Sequence, residues 1–497
     1  MTTMEEGFDN DKYIRMQSEH IKERIKNVGG KLYLEFGGKL FDDYHASRVL
    51  PGFKPDSKIR MLMQFGDMAE AIVVINAEDI VKNKVRRDIN IAYDMEVFRL
   101  VDSFRERDIH VCGLVVTHYS GQEVADQFIK RAEALGLKVY KHYRIAGYPA
   151  NVPLIASDDG FGRNEYVETT KPLVVVTAPG PGSGKMAVCL SQLYHEHRME
   201  RSVGYAKFET FPIWNLPLNH PVNIAYEAAT VDLSDANMID PFHLDAYGVT
   251  TVNYNRDVEI FPVLNSILAG IFGESPYKSP TDMGVNMAGN CIVNDDNVRK
   301  AANAEIIRRY FASLRLRREG RAEDDIVFKS DLLMKRAGIV PEDRRVVGVV
   351  REFMKDNPRP IVAAELPDGT IVTGKASPLL GASAAMILNA LKTLAGLDDS
   401  LLMITPDVIR SMQRLKVDYL GYKNPRLHID EMLVALSIAA NEDPNAEMAL
   451  SKLPELYGCD VHSSAILSIS NETYFKKLGM CVSCEPDYVT NCLFHGN

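Results

Sequence analysis

The chain has 497 residues, 46% of them hydrophobic and 25% charged, with a formal net charge of −10. That length supports two or three domains with sizeable cores, and the acidic balance argues against a chain built as a whole to bind nucleic acid or a membrane surface. No stretch nears the roughly 20 apolar residues that span a bilayer; the polar, acidic N-terminus lacks a signal-peptide pattern, and seven cysteines make no dense disulfide framework in so long a chain, so a cytosolic protein is expected.

Residues 13–27 predict an amphipathic helix, with Tyr13, Ile14, Gln17, Ile21 and Ile25 among its positions, stopped by Gly29-Gly30. A strand over 31–36 follows, then a turn-rich segment to Pro55 that holds Asp42, Asp43, His45 and Arg48 and reads as a solvated connection. Strands are expected at 60–65, 71–75, 110–117 and 138–140, and helices at 88–107 and 122–135. Further strands are expected at 202–207 and 249–254, and helices at 258–271 and 296–317, the last ending in Arg308, Arg309, Arg315, Arg317 and Arg318. Those cations suit a helix C-terminus and read as structure or as a surface between subunits of a homo-oligomer. Strand–helix alternation of this kind predicts an α/β fold: a doubly wound, mostly parallel sheet. The expected domains are 1–255 with that sheet, a mainly helical segment 256–340, and a smaller C-terminal α/β domain 341–497. Within the last, Pro360–Gly374 carries a hairpin turning at Asp368-Gly369, followed by a helix at 379–394, a strand at 401–404, and helices at 406–415 and 428–440.

The most informative stretch is 173–197. Leu173-Val-Val-Val-Thr177 is a β-branched run suited to a strand buried on both faces. Ala178-Pro-Gly-Pro-Gly-Ser-Gly-Lys185 follows, and Val188, Leu190 and Leu193 mark a helix beyond it. Strand, glycine loop, lysine and helix is the order of a phosphate-binding loop. Glycines let amides approach phosphate oxygens, the helix N-terminus adds positive potential, and the lysine supplies a compact cation. Gly180, Gly182, Ser183, Gly184 and Lys185 are therefore expected to bind the phosphates of a small molecule, with ATP and Mg²⁺ as the cofactor considered. Two departures weigh against a standard magnesium shell: Pro179 stands at the first glycine position, and Met186 where a hydroxyl residue would hold the metal. The alternative is a tight turn with Lys185 in solvent.

Asp232, Asp235, Asp240 and His243 form an acidic stretch that can hold a cation or act as general base, although Asp is equally a capping and turn residue. Lys278 and Ser279 lie in a loop, Gly273 to Asn290, that mixes glycines with polar groups and reads as a pocket loop, with a plain connection as the alternative. Near the C-terminus three pairs, Cys459/His462, Cys481/Cys484 and Cys492/His495, have metal-ligand spacing. Cys459 or Cys484, activated by His462, would alternatively make a thiol enzyme. Buried, inert cysteines are the favoured reading, and no metal site is assigned.

Several stretches together resemble a bacterial protein family of about this length: Pro179–Lys185, His220–Thr230, Asn237–His243, Tyr277–Gly284 and Leu478–Pro486. That family is catalogued as a domain of unknown function. The label of ATP-dependent peptidase given to some members finds no protease constellation in this chain. The resemblance implies a deaminase-like topology for the C-terminal part. The corresponding zinc motif is absent, since that region reads Ala376-Ser-Pro-Leu-Leu-Gly381. The leading expectation is an enzyme of phosphoryl transfer or ligation, with Asp232, Asp235 or Asp240 holding metal or base. The rival is a non-catalytic protein that senses or assembles around a nucleotide or phosphate.

Overall fold

The computed structural model describes residues 6–86 and 89–489. They form two compact units: one made of 7–226 and 235–295, the other of 227–234 and the chain from 296 on.

The first unit is built on seven strands: β1 (Lys31–Phe36), β2 (Ala69–Asn76), β3 (His110–Tyr119), β4 (Val139–Tyr143), β5 (Leu173–Thr177), β6 (Val203–Phe208) and β7 (Gly284–Val285). Their spatial order is β7-β6-β1-β5-β2-β3-β4, and every pair is parallel. All residues of β2 and β5 are buried. This is why both read as unbroken apolar runs: interior parallel strands are covered on two faces. Helix α1 (Asn10–Val28) is capped by Asp9, whose carboxylate accepts from Lys12 N at 2.9 Å, and ends at the left-handed Gly29. Helices α2 (Tyr93–Arg105), α3 (Glu123–Ala134), α4 (Lys185–Arg198) and α5 (Asn255–Phe272) complete the frame around the sheet.

The polar column of α4 fixes how it lies on the sheet. Gln192 exchanges hydrogen bonds with the backbone of Val167, and Glu196 Oε1 accepts from Lys31 Nζ at 2.6 Å, Tyr166 Oη at 2.7 Å and Tyr33 Oη at 3.1 Å. These contacts sit toward the far end of the helix. They hold its other end, at Lys185, beside the carboxyl ends of the strands.

Three expectations for this unit are corrected. Residues 60–65 lie mostly in a helix, Ser57–Met63, because Met and Leu, with no branch at Cβ, favour helix and Ile59, Met61 and Leu62 bury on one side. The helix expected over 88–107 is confined to Tyr93–Arg105, since Val85–Arg86 and Ile91–Ala92 pair as a small ribbon before it. The strand expected at 249–254 is a three-residue partner of Asn237–Ile239, outside the main sheet.

In the second unit, β8 (Ile361–Glu365), β9 (Ile371–Lys375), β10 (Asp460–Ser463) and β11 (Cys481–Cys484) form a mixed sheet in the order β9-β8-β10-β11. The β8–β9 hairpin turns at Asp368-Gly369, where Gly369 has φ 82°. Leu401–Ile404 forms no strand; Met403 and Ile404 are buried among helices instead. Within the long helix Asp295–Arg318, Arg308 and Arg309 pair with Glu305, Arg315 with Glu319 and Glu472, and Arg317 with Asp324, so the arginine cluster serves intrachain ion pairs. No helix among the described residues is long and apolar enough to cross a membrane.

Candidate functional site

The glycine loop joins β5 to α4 at the carboxyl edge of the sheet. From β2 the chain proceeds outward through β3 and β4; from β5 it proceeds to β6 on the opposite side. Ligands of doubly wound sheets bind where the order diverges in this way. Asn76, ending β2, donates its side-chain amide to Gly182 O at 3.2 Å, and Thr117 Oγ1 donates to Ser183 O at 2.6 Å. A Cβ on Gly180 would lie 2.1 Å from Tyr93 Oη, so a side chain there would have to displace the Tyr93 ring, and Gly184 caps α4 with φ 89°. The carbonyls of the loop are thereby turned into the fold. The amides of Gly180, Gly182, Gly184, Lys185 and Met186 make no hydrogen bond to an acceptor among the described residues, while that of Ser183 closes the turn at 181–182. Ser183 Oγ is buried without a hydrogen-bond partner among the described residues.

Lys185 opens α4, partly buried, and its ammonium makes no hydrogen bond or ion pair among the described residues. Burial lowers its pKa; Glu35 opposes that shift and Lys207 adds to it. Met186 packs against the core, so no hydroxyl stands where a magnesium ligand would be needed.

Beside the loop, β1 and β6 place a charged cluster. Their register sets Tyr33 against Tyr205 and Glu35 against Lys207, and the period of two continues to Glu209. Tyr205 Oη donates to Glu35 at 2.7 Å. Lys207 Nζ lies 2.7 Å from Glu209 Oε1 and is also bonded to Asp257 and Tyr254, and Tyr254 Oη donates to Glu209 at 3.0 Å. Glu209 is pushed up to about 7 by burial and by Asp257, against the pull of Lys207. Lys207 itself stays charged, held well above its ordinary value by Asp257, Glu209 and Glu35 despite its burial. A carboxyl poised near neutrality beside a permanent cation can both give and take a proton. Sequence reading passed over Glu35, Lys207 and Glu209. The available signal was charge at alternate positions of two otherwise apolar strands.

The acidic stretch is arranged differently. Asp232 is exposed, on a short turn of the second unit. Asp235 is clamped by Arg256 at 2.5 and 2.8 Å. Asp240 caps the helix Pro241–Tyr247: one oxygen accepts from the amides of Phe242 and His243, the other from Thr281 N and Oγ1. His243 Nδ1 lies 2.9 Å from Ser279 Oγ, which itself accepts from Asp282 N. Lys278 is exposed and lies over the Tyr247 ring. Asp240, His243 and Ser279 lie on the segments leading into β7, which is three strand spacings from β5, on the order of 14 Å. The structure thus brings Asp240, His243, Ser279 and Lys278 together, but not onto the glycine loop. Asp240→Ala should cost about 2 kcal/mol of stability, from the lost cap and the orphaned Thr281, and leave phosphate-ligand affinity intact. Denaturant unfolding and calorimetry measure the two, and a collapse of affinity at full stability would overturn the capping role.

The thiols gain no activation. Burial pushes Cys459 and Cys484 up to about 12. His462 faces Ser483 Oγ at 2.8 Å and Glu485 at 3.4 Å rather than a cysteine. Parallel pairing aligns His462 with Ser483, one residue out of step with Cys484, so these pairs do not converge as a metal site. Cys492 and His495 lie outside the described residues.

The model described as "Domain of unknown function DUF1846, N-terminal" matches residues 6–338, and its C-terminal counterpart matches 342–494. The chain is 55% identical over 489 residues to the UPF0371 protein of Corynebacterium urealyticum, covering 98% of each. It is 50% identical over 489 residues to that of Streptococcus thermophilus, covering 98% of this chain and 99% of the other. The chain therefore belongs to the DUF1846 family, shared with the UPF0371 proteins of these bacteria.

Proposed function

We propose that the first unit is an enzyme that anchors the phosphate of a small molecule over Gly180–Lys185 and moves a proton with Glu209. The observation that carries this reading is the row of unpaired amides ending at an unpaired lysine, at the divergence of a parallel sheet. The loop amides and Lys185 would hold the phosphate, and Lys207 would keep its positive charge beside the developing anion. Phosphoryl transfer from ATP with Mg²⁺ is the narrower form of the proposal. Against it stand Met186 and the commitment of Asp235 and Asp240 to other partners, which leave the loop without a ready metal ligand. A phosphorylated substrate held without resident magnesium suits these residues better.

A non-catalytic phosphate sensor is the second reading, favoured by one observation: Glu209 and Lys207 already satisfy each other. A thermal-shift screen of nucleotides, sugar phosphates and pyrophosphate, with and without magnesium, tests both. A ligand at 100 times its Kd should add about 2.7 kcal/mol. A magnesium-independent shift with turnover supports the enzyme, and a shift with no product the sensor. No shift from any phosphate compound would reduce the loop to a turn.

A further inference from the structure

At the opposite edge of the same sheet lies a trio with no part in the proposed phosphate site. Glu70, His110 and Cys112 each offer one ligand atom, and the three atoms lie within 4.8 Å of one another. The backbone places them there. In the β2–β3 pairing Glu70 stands opposite His110, and the register then jumps from Ala71–Val111 to Ile72–Gly113. Cys112 is the extra residue of that bulge, and bulges re-aim side chains.

We propose that Glu70, His110 and Cys112 form a binding site for a borderline divalent cation of the zinc class. A thiolate, an imidazole and a carboxylate are the donors that select such an ion over magnesium or calcium. Three protein ligands leave the fourth tetrahedral position to water, which reaches the site on the side of His110, the exposed member. The charges balance: carboxylate and thiolate neutralise the ion, and the nearby cation, Lys31, is taken up by Glu196 at 2.6 Å and Thr169 O at 2.7 Å. The carboxylate is pre-oriented. Its Oε1 accepts from the amides of Thr170 and Lys171 at 2.6 and 2.8 Å, while Oε2 accepts from Thr170 Oγ1 at 3.3 Å and the carboxylate also faces the Cys112 thiol. Cys112 would bind as its thiolate, so binding would release a proton. Glu70 and Asn76 stand at opposite ends of β2, on the order of 20 Å apart. The ion would therefore brace the β2–β3 pair rather than meet a ligand on the glycine loop.

The test is Co²⁺ titration of the full-length, chelator-stripped protein at pH 7.5. One equivalent should produce the intense thiolate-to-cobalt absorption, with Zn²⁺ displacing it. Cys112→Ser should abolish that band. His110→Ala, a change at an exposed side chain, should weaken Co²⁺ binding by at least the roughly 10- to 100-fold that loss of a mere outer-shell partner costs. No thiolate band in the wild type, a band that survives Cys112→Ser, or unchanged affinity in His110→Ala would each overturn the site. Pyrophosphate binding by the stripped protein reports separately on the glycine loop.

Discussion

Lys185→Ala should weaken binding of pyrophosphate or a sugar phosphate roughly 10- to 100-fold, without loss of stability. The first half follows from charge-assisted hydrogen bonding: removing a charged donor from a phosphate costs about 1.5–3 kcal/mol, and each 1.4 kcal/mol is tenfold in Kd. The second half follows from the resting state of the side chain. Its ammonium is partly buried with no ion-pair partner among the described residues, and burial already disfavours its charge. Truncation removes an unpaired cation from a poorly solvated position, so the melting temperature should hold or rise. A lysine that merely decorated a turn in solvent would give neither result. Wild-type affinity in the variant, by calorimetry, would sink the phosphate-anchoring role. A fall in affinity matched by a fall in melting temperature would place Lys185 among the structural residues.

The part of the site that could be read from sequence is the part contained in one continuous stretch. Strand, loop, lysine and helix occupy 173–198, and each announces itself locally, by β-branched residues, glycines and apolar spacing. Glu35, Lys207 and Glu209 could not be assembled in that way. Tyr205 meets Glu35 across 170 residues of chain, and only the parallel register of β1 and β6 brings the groups into line. The acidic stretch shows the converse. Asp240 caps a helix beginning at Pro241 and Asp235 pairs with Arg256, roles that Asp fills whether or not a ligand is near. The Glu70–His110–Cys112 trio depends on a bulge, which leaves no mark in composition or periodicity. Main-sheet strands were legible where both faces are buried. The segment 60–65 was misread because a short Met/Leu run has no period of its own to separate helix from strand.

Glu209→Gln should change the pH dependence of stability more than its magnitude at low pH. In the folded chain the carboxyl is pushed up from its ordinary 4.5 to about 7, chiefly by burial, with Asp257 adding to the shift. Between those two values the native state keeps a proton that the unfolded chain has lost. Stability contributed by this group therefore falls as pH rises from about 4.5 to about 7 and levels off above. At 1.36 kcal/mol per pKa unit the whole decline is at most about 3 kcal/mol. Glutamine imitates the protonated carboxyl in shape and neutrality, and Lys207 keeps Asp257 as its anion. Wild type and variant should thus match near pH 5, while by pH 8 the variant should be the more stable, by roughly 1–3 kcal/mol. Other groups titrate in both proteins, so the difference between the two denaturation series isolates Glu209. Curves that stay parallel from pH 5 to 8 would mean that Glu209 is ionised throughout. It would then be a fixed counter-ion for Lys207, and the proposed proton transfer would lose its acid.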